Sequence, residues 1–198
     1  MTGVDTARVE RAVRELLLAI GEDPGRPGLE RTPRRVAEAY AEFFSGVGAD
    51  PRVHLLDSVP TGSTDAGEPA DSDVVLLRDV GFRSMCEHHL LPFRGVAHVA
   101  YLPGEKIVGL SRIPAVVETV ASRPQVQERL TEQIADALDA GLGPRGVLVV
   151  LDAEHGCVTA RGARQERSST VTVASRGALA DPAARAEVIA LIGAGRGD

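Results

Sequence analysis

The chain has 198 residues and a mass of 20.8 kDa, the size of one compact domain with an appended element. Its content of 43% hydrophobic and 25% charged residues excludes wholesale disorder and a membrane-spanning protein. The 22 basic and 28 acidic residues give a net charge of −6, the opposite of the basic surface of nucleic-acid-binding proteins. Two cysteines do not indicate a disulfide scaffold, and the N-terminal residues lack a signal-peptide pattern. We therefore expect a cytoplasmic protein with no nucleic-acid or membrane partner.

The first part of the chain predicts two amphipathic helices. Apolar residues recur at helical spacing over residues 5–20 and again over about 33–45. A segment rich in Ser, Gly, Pro and Asp then predicts a flexible loop. These patterns divide the chain into a helical arm over 1–56, a loop over 57–73 and a main body over 74–198.

The main body alternates between strand and helix patterns in blocks. The predicted strands lie at 74–77, 95–102, 106–110, 146–155 and 168–175. The predicted helices lie at 112–122 with Ser111 as cap, from Pro124 to Leu138, and after Asp181 as cap. This order is typical of an α+β fold, with an antiparallel sheet covered on one face by two helices. No dinucleotide-binding or phosphate-loop glycine pattern occurs.

The densest polar cluster runs from Cys86 to His89, between two predicted strands. Cys86 and His89 are two residues apart, so a turn can direct both at one metal ion, and His155 and Cys157 form a second short cluster. A closed structural site needs four protein ligands, and His88 would have to point elsewhere unless the backbone twists. We therefore favour Cys86, His89 and Cys157 as ligands with an open fourth position, as in catalytic zinc sites. Cysteines that only pack as small apolar side chains are the alternative.

Four segments closely resemble the GTP cyclohydrolase I family, whose members catalyse the first step of pterin and folate synthesis. They are SMCEHHLLPFRGVAHVAYLP at 84–103, GLSR at 109–112, RPQVQERLTEQIADAL at 123–138 and EHGCVTARG at 154–162. The resemblance extends from about residue 8 to 192. It implies the tunnelling fold (T-fold), an antiparallel sheet with two helices on one face. It also implies a homo-oligomer, a toroidal decamer with active sites between subunits.

The resemblance implies roles for the polar cluster. The zinc ligands of the family match Cys86, His89 and Cys157, so the cofactor would be Zn²⁺ and its bound water would attack C8 of the guanine ring of GTP. Ring opening would then release formate and lead to 7,8-dihydroneopterin triphosphate. His155 matches a histidine that protonates the purine, and His88 one that assists proton transfer, because imidazole titrates near working pH.

The same resemblance implies residues that read the base. Gln127 and Glu128 match the guanine-binding positions of the family. The Glu128 carboxylate has the two acceptors that guanine N1–H and its exocyclic amine require. The residue pattern alone would make Glu128 an exposed helix carboxylate.

The triphosphate positions depart from the family pattern of a serine, a lysine and arginines. Here they hold Ser111, Arg112, Ala115 and Arg161, so one cation is replaced by Ala115, beside Pro114. A charged hydrogen bond contributes about 1.5–3 kcal/mol, unless another cation substitutes.

Three functions are then open, and the departure at Ala115 motivates the second. The first is GTP cyclohydrolase I. The second is a related cyclohydrolase that opens a different or less phosphorylated guanine nucleotide in a specialised pathway. The third is a non-catalytic purine or pterin binder of the same fold, which the intact metal and guanine residues disfavour. Arg34, Arg83 and Arg94 are candidates for the missing cation.

Overall fold

The structure is a computed structural model that describes residues 3–61 and 73–194. Its backbone divides into two compact units, Met1–Ala49 and Asp50–Asp198. Most of the predicted loop at 57–73 lies outside the described residues, which resume at 73. No helix within the described ranges is long and apolar enough to cross a membrane.

The first unit is a pair of helices, α1 (Thr6–Ala19) and α2 (Thr32–Phe43). The Asp5 carboxylate caps α1 by accepting the Arg8 backbone N–H. Val13 and Leu17 of α1 and Ala37 of α2 are buried, as expected for apolar stripes spaced by three or four residues. Both predicted helices are confirmed.

The second unit is built on two sheets. Its strands are β1 (Val59–Pro60), β2 (Val75–Cys86), β3 (Pro92–Leu102), β4 (Lys106–Ile107), β5 (Pro124–Gln125), β6 (Gly146–His155) and β7 (Thr170–Gly177). β1 and β4 pair with each other, and the other five form a sheet in the order β5-β2-β3-β6-β7. Neighbours in this sheet are antiparallel, except that β5 runs parallel to the end of β2.

The β6 sequence explains why the centre of the sheet is buried on both faces. Successive side chains of a strand point to opposite faces. Val149 and Leu151 belong to the core beneath the helices, whereas Leu148 packs with Leu179 and Val188 on the other face. Apolar groups cover both faces of the first half of β6, so the run GVLVVL has no polar positions.

Two long helices cover one face of the sheet. The helices of this unit are α3 (Arg112–Ala121), α4 (Gln127–Leu142), α5 (Gly156–Thr159) and α6 (Pro182–Gly193), with 3₁₀ turns at Pro51–Leu55 and Ala178–Ala180. The apolar side of α3 and α4 is fully buried in the core, including Val116, Val120, Leu130, Ile134 and Leu138. Asp181 caps α6 through the Ala183 and Ala184 N–H groups, as predicted. The predicted α+β arrangement, with two helices on one sheet face, is therefore confirmed.

Several local predictions are wrong. Strand β1 (Val59–Pro60) lies within the predicted loop, and the strand predicted at 106–110 is limited to Lys106–Ile107. Pro124 does not open a helix, because Pro124–Gln125 pairs with Met85 and Cys86, and Glu87 N–H donates to Gln125 O at 2.9 Å. The helix begins only at Gln127. The Ser111 side chain makes no capping hydrogen bond, since its backbone is already helical at φ −66° and ψ −17°.

Antiparallel pairing gathers four chain positions at one end of the sheet. The end of β2 (Cys86), the start of β3 (Pro92), the end of β6 (His155) and the start of β7 (Thr170) lie there. We call this the site end of the sheet.

Candidate metal centre and active site

A tight turn at the site end places His89 close to Cys86. The Leu90 N–H donates to Cys86 O at 2.8 Å, and the Cys86 N–H donates to Leu91 O at 2.9 Å. Leu90 closes the turn with a left-handed backbone, φ +50°. The turn folds the chain back on Cys86, which brings the imidazole of His89 and the thiol of Cys86 to the same place.

The second cluster depends on a glycine. Gly156 lies between His155 and Cys157, where β6 ends and α5 begins. A Cβ at this position would lie 2.8 Å from the Pro92 carbonyl oxygen, closer than real Cβ contacts. Glycine therefore lets the chain pass against β3 and bring Cys157 towards Cys86.

Three side chains of the types that bind metal ions meet here, and we call them the metal group. One ligand atom each of Cys86, His89 and Cys157 lies within 4.8 Å of the other two, and no other such group of three occurs in residues 3–61 and 73–194. Tetrahedral zinc with ordinary Zn–S and Zn–N bonds needs ligand atoms roughly 3.5–3.8 Å apart. The donor set and its spacing therefore fit one divalent ion.

The two cysteines are free thiols. Burial raises the pKa of the Cys157 thiol, neighbouring Cys86 raises it further, and the charge of Arg161 acts in the opposite direction. Two thiolates side by side repel each other. A cation between them would remove this repulsion. The two cysteines are therefore better suited to bind a metal ion than to act as separate nucleophiles.

His155 is held firmly beside this group. Its ring stacks on Phe93 with centroids 4.7 Å apart and planes 6° from parallel. Its Nε2 lies 2.7 Å from Gln127 Oε1. Burial lowers the pKa of His155, and the negative charge of Glu128 partly offsets this.

The two predicted guanine-binding residues have different surroundings. Gln127 is buried, with 2% of its surface exposed, and its Nε2 lies 2.7 Å from the Thr170 carbonyl oxygen. Glu128 is exposed in the first turn of α4. It borders a groove of about 420 Å³ between α4 and β7, with Arg129, Glu132, Thr172 and Val173.

His88 does not join the metal group. Its side chain is 64% exposed, and its Nε2 lies 4.0 Å from a carboxylate oxygen of Glu87. Glu87 in turn forms an ion pair with Arg129. His88 thus points away from the three candidate ligands, as the sequence predicts. Its role in proton transfer stays a prediction.

The predicted triphosphate residues are divided between two places. Ser111 and Arg112 lie at the start of α3, whereas the Ser84 hydroxyl, near the end of β2, donates to Ala121 O at the other end of that helix. Ten residues of helix span about 15 Å. One chain therefore does not bring Ser111 and Arg112 to its own metal group. Arg161, by contrast, follows α5 and acts on the Cys157 thiol.

A larger cavity of about 760 Å³ is lined by charged side chains that lie far apart in the sequence. It is lined by three basic and three acidic residues, Arg83, Arg94, Arg167, Glu118, Asp152 and Glu154. Cross-strand pairing places Arg94 opposite both Arg83 and Glu154. No sequence motif signals this grouping, because strand pairing alone creates it.

Comparisons with known proteins show the family of this chain. The family model for GTP cyclohydrolase I matches residues 9–193. The chain belongs to the GTP cyclohydrolase I family. Its relatives include the proteins named GTP cyclohydrolase 1 from Leifsonia xyli subsp. xyli, 65% identical over 98% of this chain and 99% of that protein, and from Rhodopirellula baltica, 54% identical over 96% and 80%. The Bacillus subtilis protein of the same name is 51% identical, over 96% of both chains.

Membership of the GTP cyclohydrolase I family confirms the resemblance and the T-fold. Sequence reasoning missed two features of the site. Phe93 stacks on His155, and the Gln127 side chain is engaged inside the chain. Phe93 and His155 are paired by the register of β3 and β6. Only this strand pairing could have indicated that the two rings stack.

Proposed function

We propose that this chain is a zinc-dependent GTP cyclohydrolase I that opens the imidazole ring of GTP hydrolytically and releases formate, giving 7,8-dihydroneopterin triphosphate. The observation that carries the proposal is the convergence of Cys86, His89 and Cys157 within 4.8 Å. His155 lies two residues from Cys157, at the same end of the sheet. We also propose that the segment 74–198, which contains every predicted site residue, is the catalytic body.

Zinc suits this donor set because two thiolates and one imidazole are ligands that Zn²⁺ prefers. Three protein ligands leave a fourth position open. When bound, the ion supplies Lewis-acid activation of the water that hydrolyses the ring. Cys86 is 6% exposed, so the protein also shields one side of the site from solvent.

Proton transfer falls to the two histidines outside the ligand set. His155 is rigid and partly buried, which suits a group that delivers a proton to one ring nitrogen of the purine. His88 is exposed on the turn that carries His89, where it can exchange protons with solvent. We assign them these roles because cleavage of the ring requires both proton donation and removal.

Substrate binding divides into base and phosphate contacts. Exposed Glu128 at the start of α4 supports guanine recognition. Arg161 supports phosphate binding on the same chain. Ser111 and Arg112 lie about a helix length from the metal group, so we assign them to the site of a neighbouring copy.

This division supports an oligomer with shared active sites. Within the described residues β7 ends the sheet on one side, and β2 pairs outward only with two-residue β5 at its far end. Both strands therefore offer unpaired backbone groups to another copy. We propose that copies close into a ring and that two rings form a decameric toroid.

A second candidate function rests on the phosphate residues. Arg112 forms a 2.7 Å ion pair with Asp57, and Ala115 provides no cation. A site weakened in this way favours a guanine nucleotide with fewer phosphates. Arg83 and Arg94, two of the three candidates for the missing cation, line the 760 Å³ cavity together with Arg167, and these arginines would restore triphosphate binding.

Steady-state formate release with GTP, GDP and GMP tests both functions. We expect a kcat/KM for GTP that exceeds the value for GMP at least tenfold, and activity that disappears when a chelator removes the metal and returns with Zn²⁺. Equal or better turnover of GMP would favour the second function. Nucleotide binding without formate release from any of the three would leave only a non-catalytic binder.

A further inference from the structure

We propose that Gln127 is a positioning residue that holds His155 in one orientation and one tautomer, rather than a contact to guanine. This inference rests on the proposed function, because it assigns a partner to the histidine that serves the reaction. Four side chains and three backbone carbonyls carry it. They form a hydrogen-bonded network in which the donor and the acceptor of each contact are determined.

The orientation of the Gln127 amide is fixed by backbone carbonyls. Its Nε2 lies 2.7 Å from Thr170 O and 3.3 Å from Leu151 O. A carbonyl oxygen can only accept a hydrogen bond, so the atom facing it must be the NH₂ group. The amide oxygen therefore faces His155, at 2.7 Å.

Two threonines determine the hydrogen-bond directions on the NH₂ side of Gln127. The Thr131 hydroxyl donates its one hydrogen to the backbone oxygen of Gln127 at 2.7 Å. The 2.6 Å contact between the two hydroxyls must then use the hydrogen of Thr172. Thr172 is left as an acceptor for the second Gln127 hydrogen, at 3.1 Å.

The tautomer of His155 follows from this order. Gln127 Oε1 only accepts, so His155 Nε2 must carry the hydrogen in that contact. No hydrogen bond to Nδ1 occurs within the described residues. Nδ1 is therefore the nitrogen that remains available for a contact to the substrate. Stacking on Phe93 fixes the ring plane, and the Gln127 bond fixes its rotation.

The same contacts disfavour Gln127 as a base-reading residue. Its side chain is 2% exposed, and both its N–H groups and its oxygen already have partners. A contact to guanine would require one of these buried bonds to break, which leaves a buried polar group unpaired. Glu128, the next residue, is exposed and has a free carboxylate for that contact.

The test compares two buried glutamines two residues apart. Gln127→Met keeps the length of the side chain and removes its hydrogen bonds. Gln125→Met is the matched control, because Gln125 is also 2% exposed but bonds Val120 O and Gln133. The measurements are zinc content and steady-state kinetics with GTP and with ITP, which lacks the exocyclic amine of guanine.

We expect Gln127→Met to lower kcat for GTP about 10- to 100-fold, the usual cost of losing a group that orients a reacting side chain. The KM, the preference for GTP over ITP and the zinc content should stay near the wild-type values. The control should keep its kcat. An increase in KM with lost preference for GTP and unchanged kcat would show that Gln127 reads the base. An equal fall in kcat in both variants, or no fall in either, would also overturn the proposal.

A direct readout does not depend on activity. ¹⁵N NMR of the five histidines, with His155 assigned from a His155→Asn sample, reports which ring nitrogen carries the hydrogen. We expect Nε2–H for His155 in the wild type, and a spectrum with Nδ1–H would refute the inference. If Gln127→Met does not fold, Thr172→Val removes one hydroxyl from the chain and should lower kcat without changing KM. Failure of the proposed function itself would appear separately, as a wild-type protein that releases no formate from GTP.

Discussion

Gly156→Ala is a sharp test of how the metal group is assembled. The added Cβ would lie 2.8 Å from the Pro92 carbonyl oxygen, and the backbone must move about 0.6 Å before this becomes an ordinary contact. Alanine by itself stabilises a helix relative to glycine by about 1 kcal/mol, so helix propensity would favour the substitution in α5. We expect a net destabilisation of roughly 1–3 kcal/mol, because the carbonyl belongs to β3 and cannot yield.

The shift would fall on Cys157, the residue after Gly156. Metal–ligand distances tolerate only about 0.2 Å, so zinc affinity should decrease about 10- to 100-fold. Competition with a chromophoric chelator measures the affinity, and thermal unfolding measures the stability. Gly81→Ala is the matched control, since a Cβ there meets nothing within 4 Å. Zinc affinity and unfolding temperature equal to wild type in Gly156→Ala would refute the reasoning.

Three further substitutions test the remaining assignments. Cys157→Ala should reduce bound zinc well below one ion per chain and abolish formate release, because two ligands rarely hold a catalytic ion; metal analysis that still finds a full complement would disprove the ligand set. Glu128→Ala should lower the preference for GTP over ITP without changing zinc content, and an unchanged preference would make Glu128 a solvated helix residue. Ala115→Arg should lower the KM for GTP about 10- to 100-fold if the missing cation limits triphosphate binding, and kinetics with GTP and GMP would show whether the gain is confined to the triphosphate.

Features that depend only on residues close together in the chain could be predicted from the sequence. The spacing of Cys86 and His89 predicts two metal ligands on one turn, and the structure places both side chains beside Cys157, the third predicted ligand. The boundaries of β6 at Gly146–His155 were predicted without error, since its apolar run is continuous. Residues 124–126 were misassigned because Pro124 also suits the first turn of a helix, and only the pairing with the end of β2 distinguishes the two.

Long-range partnerships could not be predicted, because they depend on strand register and on the direction of α3. Gln127 and Glu128 are neighbours in one motif, so both are expected to bind guanine. Adjacent side chains at a helix start, however, point in different directions. Gln127 turns inward to His155 and the start of β7, and Glu128 turns outward. Ser111 and Arg112 are separated from the metal group for a similar reason, since α3 returns along the sheet and leaves its first turn at the far end. If Ser111 and Arg112 serve the site of a neighbouring copy, as we propose, that site needs two copies of the chain, and assembly becomes a condition of triphosphate binding rather than only of stability.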